Sequence, residues 1–216
     1  MFTQGFLTSA PEALRASLKT LANEVRLAEN EVLFEQGDEG DALYSVISGT
    51  LEISVLSEEG KKLTLDIMRE GSVLGEISLF DPGERTATVT ATEPTRLYRI
   101  RNPDLTAAIR REPDIALGLI RLAGQRMRWM NAQMSDQVFL PMPTRLARRL
   151  LYLTQHGTNR LSMSQAEVAE FTGATREAVS RVLNDWKAAG VIEVSRGGLA
   201  ILDREALETL AETGGV

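Results

Sequence analysis

Between Val25 and Ile100 the chain is a series of short apolar runs, and glycines at 37, 40, 49, 60, 71, 75 and 83 interrupt it at turn-length intervals. The runs are Val32-Leu33-Phe34, Leu43-Tyr44-Ser45-Val46-Ile47, Leu51-Glu52-Ile53-Ser54-Val55-Leu56 and Leu63-Thr64-Leu65-Asp66-Ile67. Each is long enough for a strand and too short for a core helix. Strands of this length with turns this frequent predict an antiparallel β-barrel or roll. Glu58-Glu59-Gly60-Lys61 suits a hairpin tip, and residues 6 to 22, with Leu7, Leu14, Leu18 and Leu21 on one face, read as an amphipathic helix packed on the roll.

After residue 100 the pattern turns helical. Asn102-Pro103-Asp104 starts one helix, and Glu112-Pro113-Asp114 restarts the chain into a longer one ending near Phe139. Within it Ile120, Met127 and Met134 recur every seven residues, as do Ala123, Met130 and Gln137, giving an a/d seam suited to a parallel dimer. The competing reading is a helix packed only on its own domain. Pro141 and Pro143 then break the helix and place Met142 in a hinge.

Residues 144 to 156 read as a helix with Leu146, Leu150, Leu151 and Leu153 inward, stopped by Gly157. Ser164, with Glu167 three residues on, caps a helix running to Phe171. Thr172-Gly173-Ala174 is a tight turn, and Thr175 caps a second helix that ends before Gly190. That spacing is a helix-turn-helix. At about 100° per residue, Ala178, Val179, Val182, Leu183, Trp186 and Ala189 fall on one arc of the second helix. Arg176, Glu177, Ser180, Arg181, Asn184 and Lys187 fall on the other, concentrated in the turns that enter a major groove. An ordinary solvated face with a Glu177–Arg181 ion pair is the bland alternative. Val191–Val194 and Leu199–Leu202 flank Ser195-Arg196-Gly197-Gly198, a hairpin wing able to lay Arg196 on a phosphate backbone.

Residues 75 to 86 carry a different chemistry. Gly75 lets the backbone approach an anion, and Ile77 and Ser78 open a short helical turn whose N–H groups would point at it. Arg85 supplies a planar cationic fork for a phosphate, Thr86 a hydroxyl donor, and Glu76 a carboxylate able to accept from a ribose hydroxyl. The ligand this describes is a nucleotide. The alternative is that Glu76 and Arg85 simply neutralise each other in an empty roll.

Gly-Glu-x-Ser-Leu, a short gap, then Arg-Thr-Ala resembles the phosphate-binding cassette of cyclic-nucleotide-binding domains. Thr-Arg-Glu-Ala-Val-Ser-Arg, residues 175 to 181, is similar to the recognition helix of the CRP/FNR family of bacterial transcription regulators, and the likeness extends over roughly residues 10 to 210. The resemblance implies an α+β fold: a cyclic-nucleotide-binding β-roll over 1–112, a dimerisation helix over 113–140 and a winged helix-turn-helix over 141–216. It implies a homodimer and an effector, cyclic AMP first, with cyclic GMP or a cyclic dinucleotide as alternatives. The purine would lie near Met130 and Asn131. Arg176, Glu177 and Arg181 would contact base edges, so that Thr175, Arg176, Glu177, Ser180, Arg181 and Arg196 are the expected DNA contacts. Ser180 is the FNR-like residue and Arg176 the CRP-like one. The implied operator is a palindrome with TGTGA-like half-sites, and RNA polymerase is the implied protein partner.

Composition narrows the alternatives. No apolar run approaches a bilayer span and the N-terminus lacks the basic start of a signal peptide, so a cytoplasmic protein without a membrane partner is expected. With no cysteine and one histidine, His156, the chain lacks parts for a cysteine-ligated iron–sulfur cluster, a histidine metal cluster or a Ser-His-Asp site; neither metal nor heme is expected. An enzyme of nucleotide chemistry is disfavoured for the same reason. Up to Leu140 there are 15 basic against 21 acidic residues, and nine against nine thereafter, so the net charge of −6 sits in the N-terminal part. A neutral reading domain binds DNA through cations clustered on one face and holds weakly without a sequence match. The remaining functional alternative is a constitutive DNA-binding regulator with a vestigial pocket.

Overall fold

The computed structural model of the chain describes residues 19–154, 158–195 and 197–212. These divide into two compact units, one of residues 1–55 and 65–129, the other of 56–64 and 130–216. Of the expected N-terminal helix, residues 19 to 22 fall among those described, and 19 to 21 are helical.

Eight strands build the N-terminal part: β1 Asn23–Leu27, β2 Val32–Phe34, β3 Ala42–Ser48, β4 Leu51–Leu56, β5 Lys62–Met68, β6 Val73–Leu74, β7 Thr88–Ala91 and β8 Thr95–Arg101. They form two four-stranded sheets, in the orders β1-β8-β3-β6 and β2-β7-β4-β5. The β1/β8, β3/β8, β3/β6, β2/β7 and β4/β7 pairs are antiparallel. Inward residues of both sheets, among them Leu27, Tyr44, Val46, Leu51, Ile53, Leu74, Val89 and Leu97, make one apolar cluster, which is the expected roll. Strand periodicity sends alternate residues of β3 the other way. Leu43, with Val73 and Ile100, therefore meets a second cluster of Leu105, Ile115 and Leu119. Those last three belong to α2 (Asn102–Arg111) and the start of α3 (Asp114–Phe139). A short helix, α1 (Ile77–Phe80), lies between β6 and β7.

On α3 the expected seam residues Ile120, Met127, Met130 and Met134 are exposed, with Leu117, Val138 and Phe139. The helix presents an apolar stripe that its own chain does not bury.

After α3 the second unit continues with α4 (Met142–Leu153), which corrects the sequence reading at its beginning. Met142 is helical rather than part of a hinge, because Pro141 is the N-cap and Pro143 lies in the first turn, where the missing N–H costs nothing. The helix closes on Thr154, three residues before Gly157, which lies outside the described residues, as does His156. The helix-turn-helix consists of α5 (Gln165–Thr172) and α6 (Arg176–Ala188). Ser164 and Glu167 complete a capping box, with bonds of 3.3 and 2.7 Å. Gly173, at φ +65°, ends α5 in the left-handed conformation, and Thr175 Oγ1 accepts from the Ala178 N–H to start α6. Val168, Ala169, Phe171, Val179, Leu183 and Trp186 are buried beneath them. The wing is β10 (Ile192–Ser195) paired with β11 (Gly198–Ile201). Two elements lie beyond the sequence reading: β9 (Arg160–Leu161), a third strand on β11, and α7 (Arg204–Glu212), which buries Leu207 and Ala211. No helix among the described residues is long and apolar enough to cross a membrane.

Ser164→Ala removes one side of the capping box. Chemical denaturation is expected to show a loss of about 1 kcal/mol, within the usual range for such caps; an unchanged midpoint would show that the turn orders itself without the cap.

Candidate functional site

The first site lies where β6 gives way to α1. Gly75, at φ +82°, takes a conformation that L side chains resist, and a Cβ there would come within 2.8 Å of both Ala42 O and Arg85 Nη1. Glycine is needed twice over, for its dihedral and for the guanidinium it admits. Gly40 is needed for contact alone, since a Cβ on it would lie 2.2 Å from Ser78 Cβ.

Arg85 is the centre of this arrangement and only 5% exposed. Its Nη2 donates to Ala42 O at 3.0 Å, and its Nη1 to Ser78 Oγ at 3.2 Å and Gly75 O at 3.4 Å. The guanidinium carbon lies 4.2 Å from the Phe34 ring centroid and 5.7 Å from that of Tyr44. Its backbone is fixed too, its N–H donating to Asp38 O and its carbonyl accepting from the Gly37 N–H. Burial pushes the Arg85 pKa below the usual arginine value, against the upward pull of Tyr44 and Asp41. The nearest carboxylate, Asp41, stands 3.6 Å away, half exposed and shared with Arg99. The Arg85 Nε is buried with no hydrogen-bond partner among the described residues. This is a buried cation with one donor left over and weak compensation, a state that an arriving anion relieves.

Glu76 is 2% exposed, yet it does not neutralise Arg85. Its Oε1 accepts from Arg126 Nη1 on α3 at 3.0 Å. Arg126 is the residue the sequence reading missed; fifty positions separate it from Glu76, and nothing local in either segment signals the pair. Ser78 is buried, its hydroxyl donating to Gly75 O while accepting from Arg85, so it holds the guanidinium in place. Ile77 and Thr86 are exposed beside the cassette. Met130 and Asn131 belong to the second unit, whereas Gly75, Glu76, Arg85 and Arg126 all belong to the first.

The second site is the outer face of α6. Thr175 is committed to its capping bond. Arg176, Glu177 and Arg181 are exposed, and among the described residues none of the three has an ion-pair partner, so the i, i+4 pair of the bland alternative does not form. Ser180 is half-buried on the same helix. Arg176 also lines a cleft of about 420 Å³ with Ser164, Gln165, Ser195 and Gly198, between the start of α5 and the wing. Arg196 lies outside the described residues.

Comparison with known proteins agrees with both geometries. The cyclic nucleotide-binding domain matches residues 24–112, and the Crp-like helix-turn-helix domain matches residues 144–210. The chain is 33% identical over 205 residues to the CRP-like cAMP-activated global transcriptional regulator of Mycobacterium tuberculosis, covering 91% of each. It is 33% identical over 203 residues to the cyclic AMP receptor protein of Thermus thermophilus, covering 94% of each. In fold it is similar to the c-di-GMP responsive global regulator CLP of Xanthomonas campestris, with a TM-score of 0.79 at 22% identity over 88% of this chain and 99% of that one. The chain belongs to the CRP/FNR family: it is a DNA-binding transcription regulator with a cyclic nucleotide-binding domain, and not an enzyme.

Gly75→Ala tests the cassette's construction. It forces a Cβ against Ala42 O at a positive φ, so thermal melting should show destabilisation, at least about 1 kcal/mol for the dihedral alone. Wild-type melting would mean that the backbone relaxes freely.

Proposed function

We propose that the chain is a homodimeric regulator switched by a cyclic nucleotide, cyclic AMP first, and that it reads a palindromic operator. The observation that carries this is Arg85: a buried guanidinium with a spare donor, beside a left-handed glycine and a carboxylate. A phosphodiester would supply the missing acceptor and counter-charge, and Thr86 would add a hydroxyl. Glu76, held by Arg126, would accept from the ribose 2′-hydroxyl. Ile77 and Ser78 offer backbone donors, and Met130 and Asn131 would meet the purine. Two relatives at 33% identity carry cyclic AMP in their names, which favours this nucleotide over cyclic GMP or a cyclic dinucleotide.

The dimer is supported by the exposed stripe of Ile120, Met127, Met130 and Met134, which is apolar enough to pack against its copy. A two-fold axis along this helix would present two α6 helices to successive major grooves, so half-site centres should lie about 34 Å apart. Arg176 and Arg181 suit the O6 and N7 of guanine and Glu177 the N4 amine of cytosine, a chemistry consistent with TGTGA-like half-sites. Thr175 and Ser180 would complete the DNA contacts, and Arg196 would lie on the phosphate backbone. The protein acts in the cytoplasm on this reading and meets RNA polymerase at the promoter.

Calorimetry with cyclic AMP tests the effector. Arg85→Leu should weaken binding by about 3 kcal/mol or more, upwards of a hundredfold, because it removes a buried charge-assisted contact. Wild-type affinity in that variant would sink the assignment, and no heat with any cyclic nucleotide would leave a constitutive regulator with a vestigial pocket.

Selection from random DNA tests the reading head. Enrichment should return an inverted repeat, and Arg181→Ala should relax preference at one guanine at a cost of about 1 to 3 kcal/mol. Motifs without a palindrome, or an unchanged preference in Arg181→Ala, would defeat the docking described.

A further inference from the structure

Asp41 stands between two arginines, and which of them holds it decides how much of Arg85 is open to a ligand. Its backbone is fixed at the entry to β3, where its carbonyl accepts from the Asn102 N–H. Its Oδ2 accepts from Arg99 Nη2, whereas its Oδ1 lies 3.6 Å from Arg85 Nη2, too far for a hydrogen bond. Arg99 sits on β8, opposite Tyr44 on β3 and Asn23 on β1, so neighbouring strands hold its backbone on both sides. Residues opposite each other across a strand pair share a face. Arg99 is thereby on the side of the sheet where the Tyr44 ring meets Arg85.

The donors of Arg85 are unequally committed. Nη1 is taken up by Ser78 Oγ and Gly75 O, and Nη2, which carries two N–H groups, gives one to Ala42 O. The Nε–H, buried with no partner among the described residues, and the second N–H of Nη2 are what remains for a phosphate. Asp41 faces the second of these. A direct bond from Arg85 to Asp41 would occupy that donor and neutralise the charge that an anion needs, and a carboxylate so placed would also repel the anion. With Arg99 present, two guanidinium groups share one carboxylate and one positive charge is left over.

We propose that Arg99 is a positioning residue of the cassette, which holds the Asp41 carboxylate and so keeps the Nη2 donor and the charge of Arg85 available to a phosphate. On the nucleotide reading of the site, from which this follows, Arg99 sets affinity without touching the ligand. Its effect passes through Asp41 and vanishes when that carboxylate is gone.

Calorimetry of the full chain with cyclic AMP compares the wild type, Arg99→Gln, Asp41→Asn and the double variant. Arg99→Gln is expected to weaken binding by roughly three- to tenfold, the scale of a half-exposed ion pair. Asp41→Asn should bind more tightly than the wild type, Arg99→Lys should keep most of the affinity, and adding Arg99→Gln to Asp41→Asn should change it by less than about twofold. An equal loss in both backgrounds would mean that Arg99 meets the ligand itself, and that result, or unchanged affinity in Arg99→Gln, would overturn the proposal. A crystal structure of ligand-free Arg99→Gln judges it without any nucleotide: Asp41 Oδ1 should close to about 2.9 Å from Arg85 Nη2, and a carboxylate left where it stands would overturn the proposal equally. A wild-type chain that gives no heat with cyclic AMP counts instead against the nucleotide reading, and the crystal structure then decides the role of Arg99.

Discussion

Burying one guanidinium governs the architecture of the N-terminal unit. A charge 5% exposed must find acceptors or lose its place, and Arg85 finds them in Ala42 O, Gly75 O and Ser78 Oγ. Each acceptor comes from a different piece of chain: the start of β3, the turn after β6, and α1. The demand explains local features that would otherwise be separate oddities. Gly75 lacks a Cβ because one would strike Arg85 Nη1, Gly40 lacks one because of Ser78, and Phe34 and Tyr44 offer ring faces where ordinary core residues would serve packing equally well. Even so, the Arg85 Nε has no hydrogen-bond partner among the described residues.

The same arrangement connects the ligand site to α3. Glu76 follows Gly75 directly, and its carboxylate is held by Arg126 on that helix. Nucleotide binding that engages Glu76 must act on this ion pair. The pair is 3% and 21% exposed at its two side chains and so is poorly screened by salt. On the proposed dimer, α3 is also the seam between subunits, and it leads through Pro141 into the reading unit.

The roll, the two helix-turn-helix helices and the wing were legible in the sequence because their signals are local. Glycine spacing marks the strands, Ser164 and Glu167 mark α5, and Thr175 marks α6. Gly75, Glu76 and Arg85 were legible as a group because they lie within eleven residues of one another. Arg126 was not, since its partner is fifty residues away and an arginine on a charged helix carries no distinguishing mark. Met142 was misread as a hinge because two prolines look like a break, although the first turn of a helix has no use for the N–H groups they lack. Two-residue β9 is too short to show a period, and it exists because the backbone at Leu199 and Ala200 recruits it. The Ser78 hydroxyl, to which the sequence reading gave no role, accepts from Arg85 and holds it in place.

The central claim is that filling the cassette changes how DNA is read, and linkage measures it directly. Fluorescence anisotropy of a labelled palindromic TGTGA duplex, titrated with the full chain at fixed salt, gives Kd with and without saturating cyclic AMP. Coupling of the usual size predicts that the nucleotide tightens DNA binding by roughly 5- to 150-fold, and that DNA tightens nucleotide binding by the same factor. Equal affinity for DNA in the two titrations, with cyclic AMP shown by calorimetry to be bound, would contradict it.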